Sequence, residues 1–199
     1  LVFPGAMTHP GPRSALILGG GDGGSARRLL RLPGMDRILM VEMDAEVVRL
    51  ARDYLAVIHG GSLDDPRVEI CYQDALRFLG DDHVGERFDL ILFDLTDPRG
   101  LAVPLYQPPF LRRCREALAD GGILTLHTAS PFFQPGRLRT VLEALRQVFP
   151  VVRPYFFPAP LYGGWWGMAC ASAGPDPAAL SAAEANDRLV ARGIGDLRY

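Results

Sequence analysis

The chain has 199 residues, 48% apolar and 22% charged, an ordinary balance for one globular domain with a single core. Its net charge of −2 gives no electrostatic reason to expect nucleic acid or an anionic membrane as a partner. All 21 basic residues are arginine, which excludes a Schiff-base lysine, a Walker lysine and any lysine base.

The opening residues, LVFPGAMTHPGP, lack a basic region and an apolar run, so a signal peptide is not expected. ALIL (15–18) predicts a short buried strand, and Ser25 to Arg31 a helix. RILMVEMD (37–44) predicts a strand ending in acids. AEVVRLARDYLAVI (45–58) predicts one helix, with Val47, Leu50, Ala51, Tyr54, Leu55 and Ile58 on its apolar face. RVEICY (67–72) reads as a strand, DALRFL (74–79) as the start of a helix, and FDLILFDL (88–95) as a strand buried on both faces. A helix follows over 108–118, then a Gly-Gly break at 121–122, a strand over 122–127 and a helix over 138–149. VVRPYFF (151–157) and GMACAS (167–172) read as two strands joined by the loop PAPLYGGWW (158–166), and 181–194 as a last helix. No apolar stretch approaches the roughly 20 residues that span a bilayer.

Strand and helix alternate at a spacing that predicts an α/β, Rossmann-like, doubly wound and mostly parallel sheet. The last strand pair is joined too tightly for a crossover and is expected to be antiparallel. Residues 1–199 read as a single domain. Cys71, Cys114 and Cys170 have no metal or redox spacing and suit reduced thiols in a cytoplasmic protein. His9, His59, His83 and His127 are scattered, so a metal site is not expected.

Ligands of such a sheet bind at the carboxyl ends of its strands. Here those ends carry Asp22, within GGGDGG (19–24), then Glu42 and Asp44, then Asp74, then Asp94 and Asp97. Asp22 stands where a pyrophosphate would lie in a dinucleotide loop and would repel it. The loop therefore suits a neutral or cationic ligand. Glu42 lies about 20 residues on, where a carboxylate can accept both ribose hydroxyls. Asp74 could accept an adenine amino group. A nucleoside without phosphates and bearing positive charge fits, and a sulfonium nucleoside is the obvious candidate. Asp94 and Asp97, with Asp22 nearby, would attract the spaced ammonium groups of a polyamine.

GGGDGG, VEMD (41–44), GSLDDPRV (61–68), DLTDP (94–98) and LYGGWWG (161–167) together resemble the spermidine synthase family of aminopropyltransferases, in register from residue 1 to 199. The resemblance implies a fold like that of S-adenosylmethionine-dependent methyltransferases. The activity it implies is transfer of an aminopropyl group from decarboxylated S-adenosylmethionine to a di- or polyamine, putrescine first among them, with release of 5′-methylthioadenosine. The donor is a co-substrate, and no prosthetic group is implied. On this resemblance Asp94 is the catalytic aspartate, helped by Tyr162. Gly19, Gly20, Gly21, Glu42, Asp74, Ala75 and Leu101 bind the donor nucleoside, and Asp22, Asp94, Asp97 and Tyr162 the polyamine. Residues 97–106 form a gate loop, and the chain assembles as a homodimer or homotetramer.

Departures from the family pattern are local, save one. Its amino-terminal β-rich segment, with a Tyr-His-Glu or Tyr-Gln-Glu motif, would lie before Leu1. Arg27-Arg28 replaces Arg-Glu, Leu101 replaces a proline, and His127 replaces a glutamine. Two other readings remain open: a methyltransferase on the same fold, and a non-catalytic member that only binds polyamine or nucleoside.

Overall fold

A seven-stranded sheet organises the molecule, in the order β3-β2-β1-β4-β5-β7-β6. The structure is a computed structural model and describes residues 1–82, 85–95 and 100–195, the side chains at 81, 82 and 101 excepted. The strands are β1 (Ser14–Gly19), β2 (Arg37–Glu42), β3 (Val68–Tyr72), β4 (Phe88–Asp94), β5 (Leu118–His127), β6 (Val151–Ala159) and β7 (Gly164–Ser172). The helices are α1 (Val2–Thr8), α2 (Gly24–Leu29), α3 (Ala45–Tyr54), α4 (Ala56–His59), α5 (Ala75–Arg77), α6 (Pro108–Ala117), α7 (Pro135–Arg146) and α8 (Ala182–Ala191). β1 to β5 run parallel, and β7 lies antiparallel between β5 and β6, as the tight final connection predicts.

Period-two alternation divides the core between the two faces of the sheet. Leu16, Leu18, Ile91 and Phe93 point to one face, where Phe110, Leu111 and Leu145 cover them. Ala15, Ile17, Leu90 and Leu92 point to the other, against Ala26, Leu29 and Val48. The chain runs β1, β2, β3 to one side and returns to start β4 on the other. The resulting switch point lies between β1 and β4, where Gly19 pairs with Asp94.

Four expectations are corrected. The helix expected over 45–58 breaks at Leu55, whose backbone (φ −114°, ψ 32°) leaves the helical region. It packs through Val48 and Ala51. Of the expected stripe only Ala51 is buried, leaving Val47 41%, Leu50 44% and Tyr54 76% exposed. Gly121-Gly122 is no break: β5 runs through it with a register shift against β4, and a side chain at Gly122 would press on the Phe88 carbonyl. The loop expected over 158–166 shrinks to a turn at Pro160–Gly163, because β6 and β7 extend toward each other. Residues 2–8 form a helix that no sequence signal predicts. Gly5 lets α1 approach β5 closely: a Cβ there would come within 2.7 Å of Thr125 Oγ1.

Candidate active site

The glycine loop joins β1 to α2 at the switch point. Gly19 and Gly20 adopt left-handed backbones, with φ of 82° and 77°. Gly20 N–H donates to the Asp94 carbonyl at 3.0 Å, so the loop is tied to the end of β4. A Cβ at Gly19 would collide with that same carbonyl. Gly23 N–H closes the turn onto Gly20 O at 2.9 Å, and Ser62 Oγ donates to Gly23 O at 2.8 Å. The loop is thus held from two sides.

Glu42, at the end of β2, accepts from Gly21 N at 3.2 Å through Oε2 and from Asp44 N at 3.0 Å through Oε1. A carboxylate has about four acceptor positions, so two remain for a diol. Asp74 caps α5 by accepting from Leu76 N at 2.7 Å through Oδ1, leaving Oδ2 for a ligand donor. Gly19, Gly20, Gly21, Asp22, Glu42, Asp74, Ala75 and Asp94 come together around one cavity of about 390 Å³, the size of a small-molecule site. Sequence reasoning missed its apolar walls. Val47 and Leu76 line it, as do Ala102 and Leu105 from the segment after β4.

A second cavity, of about 440 Å³, opens on the other side of Asp22 and Asp94. Its remaining lining comes from Leu1, Val2 and Phe3, from α2, and from Val57 and Ile58 of α4. Asp22 is exposed and holds Gly24 N–H through Oδ1 at 2.8 Å. The two carboxylates therefore border both spaces.

Asp94 is the perturbed group. Burial pushes its pKa above the ordinary carboxylate range. The negative charges of Asp22 and Glu42 add to the rise, while a hydrogen bond with Ser25 opposes it. Ser25 was not anticipated. The only available signal was its place in the first helical turn after the glycine loop.

Tyr162 lines neither cavity. It is 54% exposed in the β6–β7 turn, its ring 4.6 Å from that of Trp166. Trp166 Nε1 donates to His127 Nδ1 at 3.0 Å, and His127 closes β5 one position beyond the Phe93–Leu126 pair, next to Asp94 in register. Asp97 and the side chain of Leu101 lie outside the described residues. Among the described residues no group of His, Cys, Asp and Glu is placed to hold a metal ion.

Fold and site together define a Rossmann-like α/β domain with an acidic pair at its switch point. The spermine/spermidine synthase domain matches residues 1–178. A polyamine aminopropyltransferase of Nitrosomonas europaea is 47% identical over 193 residues, covering 97% of this chain and 59% of that protein. One from Pyrobaculum calidifontis is 37% identical, covering 100% of this chain and 70% of the relative. A crystal structure of spermidine synthase in complex with the transition state analogue AdoDATO superposes with a TM-score of 0.88 at 31% identity, over 98% of this chain and 65% of that one. Human methyltransferase-like protein 13, in complex with SAH, shares the fold at a TM-score of 0.72 and 20% identity. The chain belongs to the spermine/spermidine synthase family. It spans about three fifths of the length of the Nitrosomonas relative.

Proposed function

We propose that the protein transfers an aminopropyl group from decarboxylated S-adenosylmethionine to a di- or polyamine, with putrescine as the first candidate. One observation carries the reading: Asp94, half-buried and with a raised pKa, borders both cavities beside Asp22. The family and the likeness to a spermidine synthase bound to a transition state analogue support it.

In this reading Glu42 accepts the ribose hydroxyls and Asp74 the adenine amino group. The sulfonium then sits over the glycine loop, next to Asp22 and Asp94. An ammonium has no free electron pair, so the acceptor must first lose a proton. Asp94 takes it, and its raised pKa brings it closer to neutrality than an ordinary aspartate, which favours that role. The freed amine attacks the aminopropyl carbon attached to sulfur. A C–N bond forms as the C–S bond breaks, and the electron pair stays on sulfur, giving neutral 5′-methylthioadenosine. Asp22 holds the amine near that carbon, which reduces the entropic part of the barrier. The same acids disfavour ordinary S-adenosylmethionine, whose carboxylate would face them. Proton transfer is assigned to Asp94 alone, since Tyr162 lines neither cavity.

The deciding experiment incubates the chain with decarboxylated S-adenosylmethionine and a panel of amines, and detects 5′-methylthioadenosine by mass spectrometry. Amine-dependent formation supports the reading and names the acceptor. No formation with any amine, while the donor binds by calorimetry, overturns it in favour of a binding domain. Methyl transfer from ordinary S-adenosylmethionine would move the protein to the other activity found on this fold.

A further inference from the structure

We propose that Met43 is an oxidation site: its conversion to the sulfoxide by a peroxide loosens the donor nucleoside and makes the first cavity sensitive to oxidants. The inference rests on the reading of that cavity as the donor site. Of the five methionines, Met7, Met35, Met40 and Met168 are buried at 5% exposure or less, whereas Met43 is 59% exposed and lines the first cavity. Access governs thioether oxidation, so a peroxide that leaves the core intact reaches this sulfur first.

The backbone around Met43 is held from both sides. The residue follows β2 directly, between Glu42, whose Oε1 accepts from Asp44 N at 3.0 Å, and Asp44, which caps α3 by accepting from Glu46 N at 2.9 Å. Gln73 N–H donates to Glu42 O at 3.1 Å and ties this turn to the end of β3. Met43 thus lies between the carboxylate assigned to the ribose and the β3 end that leads to Asp74, assigned to the base. A thioether there is apolar and polarisable, a favourable neighbour for an aromatic ring. Oxidation reverses that character. A sulfur lone pair attacks one peroxide oxygen, an S–O bond forms as the O–O bond breaks, and the other oxygen leaves as water with both protons. Sulfur is oxidised and the peroxide reduced. The sulfoxide accepts hydrogen bonds, and covering it with the face of a base takes water from it and returns no donor. Cys71 is the competing target: it is partly buried, its Sγ 3.6 Å from Oε1 of Gln73, which also lines the cavity.

The test treats the 199-residue chain with dilute hydrogen peroxide and locates added oxygen by peptide mapping that resolves Met43 from Met40 and Cys71. Binding of 5′-methylthioadenosine is measured by calorimetry before and after, for the native sequence, Met43→Ile and Cys71→Ser. Met43 should oxidise ahead of the other methionines, and saturating nucleoside should slow it. Affinity should fall about two- to tenfold, the range for losing one sulfur–ring contact. Methionine sulfoxide reductases with a dithiol should restore it where the dithiol alone does not. Peroxide should leave the affinity of Met43→Ile where it began and should weaken binding by Cys71→Ser as it does in the native chain. Complete oxidation at Met43 with unchanged affinity, an equal oxidation rate with and without nucleoside, or a loss that persists in Met43→Ile overturns the inference and leaves aminopropyl transfer standing. Absence of nucleoside binding in the untreated chain overturns both.

Discussion

Asp94 carries a conflict that belongs to a working site: a half-buried carboxylate beside two others, with a serine hydroxyl as its relief. Its native pKa lies above the unfolded value, so the native state holds this proton more tightly. The linked stability is full below the unfolded pKa and is lost as pH rises through the native one. Asp94→Asn removes the charge and keeps an acceptor for Ser25. Transfer should fall by about 10² to 10⁴-fold, the range for a lost general base. Melting temperature at pH 8 should rise, by about 2–4 °C for each kcal/mol of relieved repulsion. The gain should shrink as pH is lowered through the native pKa. A thermal melt series across pH reads this directly, and a loss of stability at pH 8 would show that the buried charge is compensated. Glu42 poses the opposite case. It accepts from two backbone N–H groups, and Glu42→Gln sets an amide donor against one of them. Calorimetry with 5′-methylthioadenosine should show binding weakened by about 1–3 kcal/mol, the order for hydrogen bonds to a charged group. Unaltered affinity would remove Glu42 from the nucleoside site.

At the scale of elements, the glycine loop is rigid by construction. Gly19 combines a left-handed backbone with no room beside Asp94, whereas Gly61 has a similar φ of 87° and open space around it. Gly61→Ala should cost only the backbone term, about 1–2 kcal/mol. Gly19→Ala should cost clearly more, and should also weaken nucleoside binding, because relief requires the loop to part from β4. Equal losses in urea unfolding would mean that the loop yields easily. This loop was legible in the sequence because glycine has few other reasons to recur there. So were the acids at the ends of β2 and β4, since a polar residue closing an apolar strand stands out. What was hidden is instructive. The apolar stripe of α3 and α4 has helical spacing, yet Val47 lines the first cavity and Ile58 the second. Periodicity reports that residues share a face, not whether the face meets core or ligand. The site's apolar walls were thus read as buried packing.

The whole molecule is closed by a contact between the two ends of the chain, which no local pattern could reveal. The last carbonyls of a helix have no partner within it. For α1 they are met by α8: Arg188 Nη1 donates to Met7 O at 2.7 Å and Thr8 O at 3.1 Å. Arg192 Nη1 donates to Ala6 O at 2.6 Å, and its Nη2 to His9 O at 2.9 Å and Pro10 O at 2.8 Å. Burial lowers the pKa of Arg192, with Arg188 adding to the effect, yet an arginine remains charged at any physiological pH. This contact bears on the site, because α1 begins at Val2 and Phe3, which line the second cavity. Arg192→Ala leaves three carbonyls without their donor and should cost about 1–3 kcal/mol. Arg192→Lys should recover only part of that, since an ammonium lacks the planar fork that reaches three oxygens. Combined with Arg188→Ala the loss should be less than additive, as both act on one helix end. Donor-nucleoside affinity, set on the far side of Asp22, should hold in every variant, while amine affinity should fall as α1 loosens. Equal amine binding in native and Arg192→Ala chains, despite a lower melting temperature, would show that the first helix stabilises the fold without shaping the acceptor cavity.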